Sequence, residues 1–195
     1  MARKMLTAIL MLAVLTVVTG MAYPLAVTGL AWALFPYQAA GSLLCRDGQV
    51  VGSALIGQGF ADAGYFHGRP SAAGQRGYDA SSSAGSNLGP TNKELVAAVQ
   101  RRLTYVRAEN GLPPDAPVPS DMVMASGSGL DPHISPAAAY LQVPRVARAR
   151  DLPEETVRAL VSRMVEGRQF DILGEPRVNV LKLNLELDKL SCDRR

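Results

Sequence analysis

The chain has 195 residues, 48% hydrophobic and 19% charged, with 20 Lys and Arg against 17 Asp and Glu. Arg3 and Lys4 precede a long apolar run, so the remainder of the chain carries 18 basic residues against 17 acidic ones; that near-neutral mixture excludes the clustered basic face a nucleic-acid binder needs. Beyond the run, about 160 residues leave room for one domain with a sizeable core rather than two.

The apolar run opens at Met5, and no Asp, Glu, Lys, Arg or His appears before Arg46. As a helix, Met5 to Leu25 would be about 31 Å long at roughly 1.5 Å per residue, matching a hydrocarbon core of about 30 Å. The expected organisation is therefore a cytoplasmic N-terminus (1–4), a transmembrane helix (5–28) and a single domain (36–195). A cleavable secretory signal is the competing reading, since Arg3 and Lys4 form a basic flank and Gly20-Met21-Ala22 supplies small residues for a peptidase. Apolar character continues through Pro24, Leu25, Leu30, Trp32, Leu34 and Phe35, longer than the roughly 7–15 residues of such a signal, which favours an anchor. In either case the positive flank stays inside and the bulk of the chain faces outside. Tyr23-Pro24 is expected to end or kink the helix near the outer interface, where Tyr23, Trp32, Phe35 and Tyr37 fall at headgroup level. Ala13, Thr16, Gly20 and Tyr23 share one face, with Thr16 and Gly20 at small-xxx-small spacing; this face suits packing on another helix, lipid contact being the alternative.

Gln49 to Ile56 is β-branched and apolar between glycines and reads as a strand. From Gly57 to Pro90 little periodicity survives among Gly, Ser, Ala and Asn, which predicts a long irregular region. Thr91-Asn92-Lys93-Glu94 has the form of a capping box with Thr91 as N-cap. The helix it opens carries Leu95, Val96, Val99, Leu103 and Val106 on one stripe and stops at Asn110-Gly111. After a proline-rich break, Ser135 is placed to cap a helix with Pro136 at its first position, running to about Ala149. Asp151 with Glu154 predicts a further helix whose face is Val157, Leu160, Val161, Met164 and Val165, stopped by Gly167. Arg177 to Leu187 alternates and predicts a half-buried strand. The fold class is a mixed α+β domain, few strands with three or so helices, outside the membrane and behind one N-terminal transmembrane helix. Cys45 and Cys192 could form one bridge closing a long loop in an exported domain, although their spacing leaves proximity open.

Several constellations invite chemistry. Gly85-Ser86-Asn87-Leu88-Gly89-Pro90-Thr91 ahead of a helix suggests a phosphate loop, but Pro90 has no N–H and the Gly-Lys-Ser/Thr ending is missing. His67 and His133 have no second ligand at metal spacing. Ser126, Ser128, Asp131 and His133 could assemble a triad, yet the Gly-x-Ser-x-Gly elbow that exposes a nucleophile is lacking. Arg69 and Arg145 could bind a carboxylate or lie across an interface, with an ordinary surface arginine as the plain reading.

YFHGRPSAA (65–73), AGSNLGPTN (84–92), ASGSGLDPHISPAAA (125–139), QVPRVARARDL (142–152) and GEPRVNVLKLNLELD (174–188) resemble the C subunit of the Kdp potassium-transporting ATPase. The likeness runs from the anchor to near Asp188; Met124 stands where that family usually has Thr, and the tail from Lys189 departs from its pattern. The resemblance implies a non-catalytic subunit of a bacterial inner-membrane potassium importer, working with an ATP-hydrolysing P-type subunit, a channel-like potassium subunit and a small accessory membrane subunit. No tightly bound cofactor is implied: ATP belongs to the ATPase subunit, and potassium is the transported ion. The family is described as a catalytic chaperone that raises ATP affinity, with nucleotide contact proposed near a glutamine that would be Gln142, beside Arg145.

The topology conflicts with direct contact, because it puts Gln142 outside while ATP is cytoplasmic. Gln142 is therefore read as structural or coupling-related, with an allosteric route to ATP. Interface candidates are Thr16, Gly20 and Tyr23 on the helix and Arg69, Asn87, Asp131 and His133 in the motif-rich loops. Two other classes remain alternatives: a membrane-anchored exported hydrolase using Ser126, Asp131 and His133, and a small-ligand binding module.

Overall fold

Apolar side chains dominate the first 34 residues, and the computed structural model, which describes residues 1–192, makes them one 33-residue helical run. It consists of α1 (Ala2–Val17), a π-helical turn (Val18–Ala22) and α2 (Tyr23–Leu34), and none of its side chains is buried. A helix exposing that much apolar surface matches a lipid solvent, and the run is long and apolar enough to cross a membrane. The expected break at Tyr23-Pro24 does not occur. Pro24 lacks an N–H and its ring would strike the carbonyl four residues back; the widened turn, in which Tyr23 N–H donates to Val18 O, accommodates it. Thr16 and Gly20 remain neighbours there, a Gly20 Cβ falling 4.0 Å from Thr16 Cγ2.

A short helix α3 (Pro36–Ala39) comes next, then a hairpin of β1 (Leu43–Arg46) and β2 (Gln49–Ser53). The strand expected over Gln49–Ile56 is thus shorter, and its partner had gone unread. Asp47-Gly48 joins the two with φ of 52° and 77°, the left-handed pair that a two-residue hairpin turn requires. Met1–Ser53 forms one compact unit, and the residues from Ala54 onward form a second.

In the second unit no described residue between 54 and 92 belongs to a helix or strand, as the lack of periodicity predicts. Helix α4 (Lys93–Asn110) begins one residue later than expected: Asn92, not Thr91, is the N-cap, its Oδ1 accepting from Glu94 N, while Gly111 closes the helix at φ 66°. Only Val106 of the expected stripe is buried, and Val96 is exposed. Helix α5 (Pro136–Ala149) is capped by Ser135 Oγ, which accepts from Ala138 N. Helix α6 is Glu154–Met164, with Pro153 as N-cap rather than Asp151. It ends ahead of Gly167 because Val165 turns extended and enters β4 (Val165–Glu166) directly.

β4 and β3 (His133–Ile134) pair antiparallel with the two sides of β5 (Arg177–Asn179), giving the order β3-β5-β4. The strand expected over Arg177–Leu187 is mostly helix: β5 stops at Asn179 and α7 (Val180–Cys192) continues the chain. Asn179 Oδ1 accepts from Lys182 N and starts the helix in the manner of an N-cap. The buried positions Val180, Leu183, Asn184, Leu187 and Asp188 recur at three and four residues; the polar members of that stripe had disguised it as alternation. With Val143 and Val146 of α5, Val157, Leu160 and Val161 of α6, Val178 of β5 and Phe66, the α7 leucines close the core. Cys45 is exposed; the proposed pairing with Cys192 falls on a side chain outside the described ones.

The helix also fixes which leucines matter. Leu183→Ala and Leu187→Ala, both fully buried, should each lower stability by about 2–5 kcal/mol, and Leu185→Ala, half-buried, by clearly less. Urea unfolding in detergent separates this order from the equal losses a strand would give.

Candidate functional site

Residues 62–71 run through the second unit without a ladder partner, so side chains must satisfy their backbone groups. Two primary amides each take both backbone groups of one residue. Asn184 on α7 accepts from Phe66 N (2.8 Å) and donates to Phe66 O (3.0 Å). Gln142 on α5 accepts from His67 N (2.7 Å) and donates to His67 O (3.1 Å), so successive residues are clasped by amides from two helices. Gln142 Oε1 also accepts from Arg145 Nη2 (2.7 Å), and its Nε2 donates to Ala138 O (3.2 Å). Every donor and acceptor position of this fully buried side chain is thereby used.

The guanidinium groups one and two turns along complete the clasp. Arg145 donates from Nη1 to Ala63 O (2.5 Å) and Tyr65 O (3.1 Å) and from Nε to Asn110 Oδ1 (3.1 Å). Burial pulls its guanidinium below the ordinary value, opposed by the charges of Glu109, Tyr105 and Asp62. Arg150 lies 4.3 Å over the Tyr65 ring, donates to Gly64 O and pairs with Asp188 at 2.8 Å. His67 Nδ1 faces Glu109 Oε1 at 3.3 Å, tying the same segment to α4.

Further along, Arg69 and the loop before β3 form a second cluster. Arg69 Nη1 donates to Asp131 Oδ2 (3.1 Å), and Asp131 Oδ1 accepts from His133 N (3.0 Å) with His133 Nδ1 at 3.4 Å. Burial acts to raise the Asp131 carboxyl, but hydrogen bonds from His133 and Arg69 outweigh it and hold the group below its ordinary value. Tyr78 donates to Arg69 O (2.5 Å), and burial, reinforced by Asp131, pushes its hydroxyl up to about 12. Gly68 makes room for that hydroxyl: a Cβ there would stand 2.6 Å from it. Asp131, His133 and Arg69 border a polar cleft of ≈ 570 Å³ with Asp121, Glu175 and Arg177.

Sequence reasoning thus named Gln142, Arg145, Arg69, Asp131 and His133, and the fold groups them around one segment. Asn87 stands apart, exposed, at φ 52°. Thr16, Gly20 and Tyr23 are exposed residues of the first unit. Ser126 is buried and Ser128 is exposed with its Oγ accepting from Leu130 N; among the described residues His133 meets Asp131 rather than either serine. Among the described residues no group of three or more His, Cys, Asp or Glu could hold a metal ion. Asn184, Asp188 and Arg150 had been missed; polar residues recurring at three and four through an apolar stretch were the available signal. Chemically, the arrangement is a rigid clasp with a charged rim.

The family model described as KdpC, the K+-transporting ATPase c chain, matches residues 5–189. The chain is 57% identical over 195 residues to the potassium-transporting ATPase KdpC subunit of Methylorubrum populi, covering 94% of this chain and 96% of that one. The KdpC subunit of Bradyrhizobium diazoefficiens is 54% identical, covering 98% and 100%. That of Nitratidesulfovibrio vulgaris is 60% identical over 175 residues, covering 89% and 87%.

Gln142→Leu strips both backbone partners from His67, and Asn184→Leu does the same to Phe66, at about 1–3 kcal/mol for each buried group left unpaired. Each variant should unfold at clearly lower urea, and the double variant should lose less than the sum, because both amides secure one segment. For Asp131 the folded-state carboxyl lies below its unfolded value, so its stabilisation is present above the unfolded value and is lost as pH falls through the folded one. Asp131→Asn should therefore be less stable at neutral pH and show a flatter loss of stability below pH ~4 in acid titration followed by circular dichroism.

Proposed function

The chain belongs to the KdpC family, the c chain of K+-transporting ATPases, and from that premise we propose that it is a non-catalytic subunit that holds the complex together and raises the apparent ATP affinity of the hydrolysing subunit from outside the membrane. Its helical run anchors it in the bacterial inner membrane with Arg3 and Lys4 on the cytoplasmic side and the domain on the other. Its partners are the ATP-hydrolysing subunit, the channel-like potassium subunit and the small accessory membrane subunit. ATP is bound by the hydrolysing subunit, and potassium is cargo.

Gln142 carries this reading. Its amide is completely buried and spends all its hydrogen bonds on His67, Ala138 and Arg145, while Arg145 spends its own on Ala63, Tyr65, Asn110 and Gln142. A nucleotide touching either would have to break the clasp, at the cost of leaving buried groups unpaired. A clasp that shapes a docking face can instead act at a distance: if the subunit binds one pump conformation more tightly, ATP affinity shifts by that difference.

The reading is tested on the assembled complex in spheroplasts with Cys192→Ser. A membrane-impermeant maleimide should label Cys45 before lysis. The purified complex should show a lower KM for ATP than the complex lacking this chain, and a photoreactive ATP analogue should label only the hydrolysing subunit. Labelling of Cys45 only after lysis, together with photolabelling of this chain, would return Gln142 and Arg145 to direct nucleotide contact.

A further inference from the structure

Three large apolar side chains crowd the loop between β4 and β5: Phe170, Ile172 and Leu173 are 87%, 77% and 59% exposed. None of the three belongs to the hydrophobic core of the described residues or to the apolar side chains packed against it. The loop is closed by its own backbone, with Gln169 N donating to Leu173 O and Leu173 N to Gln169 O, both 2.9 Å. Its base is stapled by Arg168 Nη2, which lies 2.9 and 2.8 Å from the two carboxylate oxygens of Glu175. Phe170 and Asp171 are both left-handed, at φ 53° and 59°, a conformation that a bulky aromatic residue disfavours and that Gly or Asn would adopt at less cost. The tight turn calls for left-handed residues but not for a bulky aromatic among them, so folding alone explains neither the exposure nor the choice of Phe170, and strain held at an exposed position points to a role for the presented side chain.

We propose that this loop is a docking tip over which an apolar pocket on another chain of the potassium-transporting ATPase closes, an inference that rests on the reading of this chain as a subunit of that complex. The arrangement is that of an interface centre: apolar anchors inside a polar rim formed by the Arg168–Glu175 and Arg177–Glu166 pairs. The charge pattern selects a protein over a lipid surface. Asp171 lies between Phe170 and Ile172, and the one cation from Gly167 to Pro176 is Arg168, already paired with Glu175. Interfacial membrane contacts instead set Lys and Arg beside their apolar anchors, to meet anionic headgroups. The pocket that fits is apolar at its floor, with a cation or N–H donors at its edge to receive Asp171. The same loop leads through Glu175, Pro176 and Arg177 into the wall of the cleft bordered by Asp131 and His133, so a partner seated on the tip would abut that cleft.

The test uses the full-length chain in the whole complex, with Phe170 replaced by a benzophenone amino acid and the complex irradiated in native membranes. A covalent adduct to another ATPase chain is expected. The variant carrying Phe170→Ser, Ile172→Ser and Leu173→Ser should melt at an unchanged temperature, since those side chains are exposed, and bind the remaining chains on the order of 10–100-fold more weakly. An adduct with lipid alone, no adduct, or unaltered binding by the triple variant would overturn the docking tip while leaving the subunit assignment intact. Failure of the unaltered chain to co-purify with the other ATPase chains would overturn both.

Discussion

A stretch of backbone with no strand or helix partner cannot be covered by protein unless something else takes its N–H and C=O groups, and residues 64–71, buried or half-buried, are such a stretch. The domain answers with side chains: Asn184 and Gln142 offer paired donors and acceptors to Phe66 and His67, and Arg145 and Arg150 reach the carbonyls of Ala63, Gly64 and Tyr65 just ahead of them. This requirement fixes much else. α5 and α7 must present their amides from two helices, α6 must fill the apolar space they leave, and Gly68 must stay bare beside Tyr78.

A fully satisfied polar network in a low-dielectric interior is rigid, and removing one member exposes the desolvation cost of the rest. The residues that look most like a binding site in the sequence are therefore the ones with least freedom to bind anything. What they offer a partner is shape: an irregular segment held in one conformation, running out to the charged cluster of Arg69, Asp131 and His133. Such a surface fits the conformation-selective role proposed above.

The parts that the domain does not need for its own folding are correspondingly telling. The apolar helical run of the first unit has no protein core to bury it, and its π-turn adapts it to Pro24 without breaking it. The tip at Phe170 likewise exposes apolar surface on a loop that its own hydrogen bonds already hold.

By itself the sequence determined the long apolar helical run, the irregularity of 57–90, the Ser135-Pro136 helix start and the motifs at 65–73, 125–139 and 142–152 that mark the family. Each is local, written in run length, turn chemistry or word-like spacing. Tertiary structure decided the rest. Leu183, Asn184, Leu187 and Asp188 face inward together only because α7 must bring Asn184 to Phe66, and a stripe mixing leucine with Asn and Asp does not announce itself as buried. Pro24 stayed helical because one π-turn relieved a local prohibition. Gln142 and Arg145 became structural because the backbone groups of His67, Ala63 and Tyr65, between 75 and 82 residues earlier in the chain, take their hydrogen bonds from them, a fact of space that spacing along the chain cannot carry.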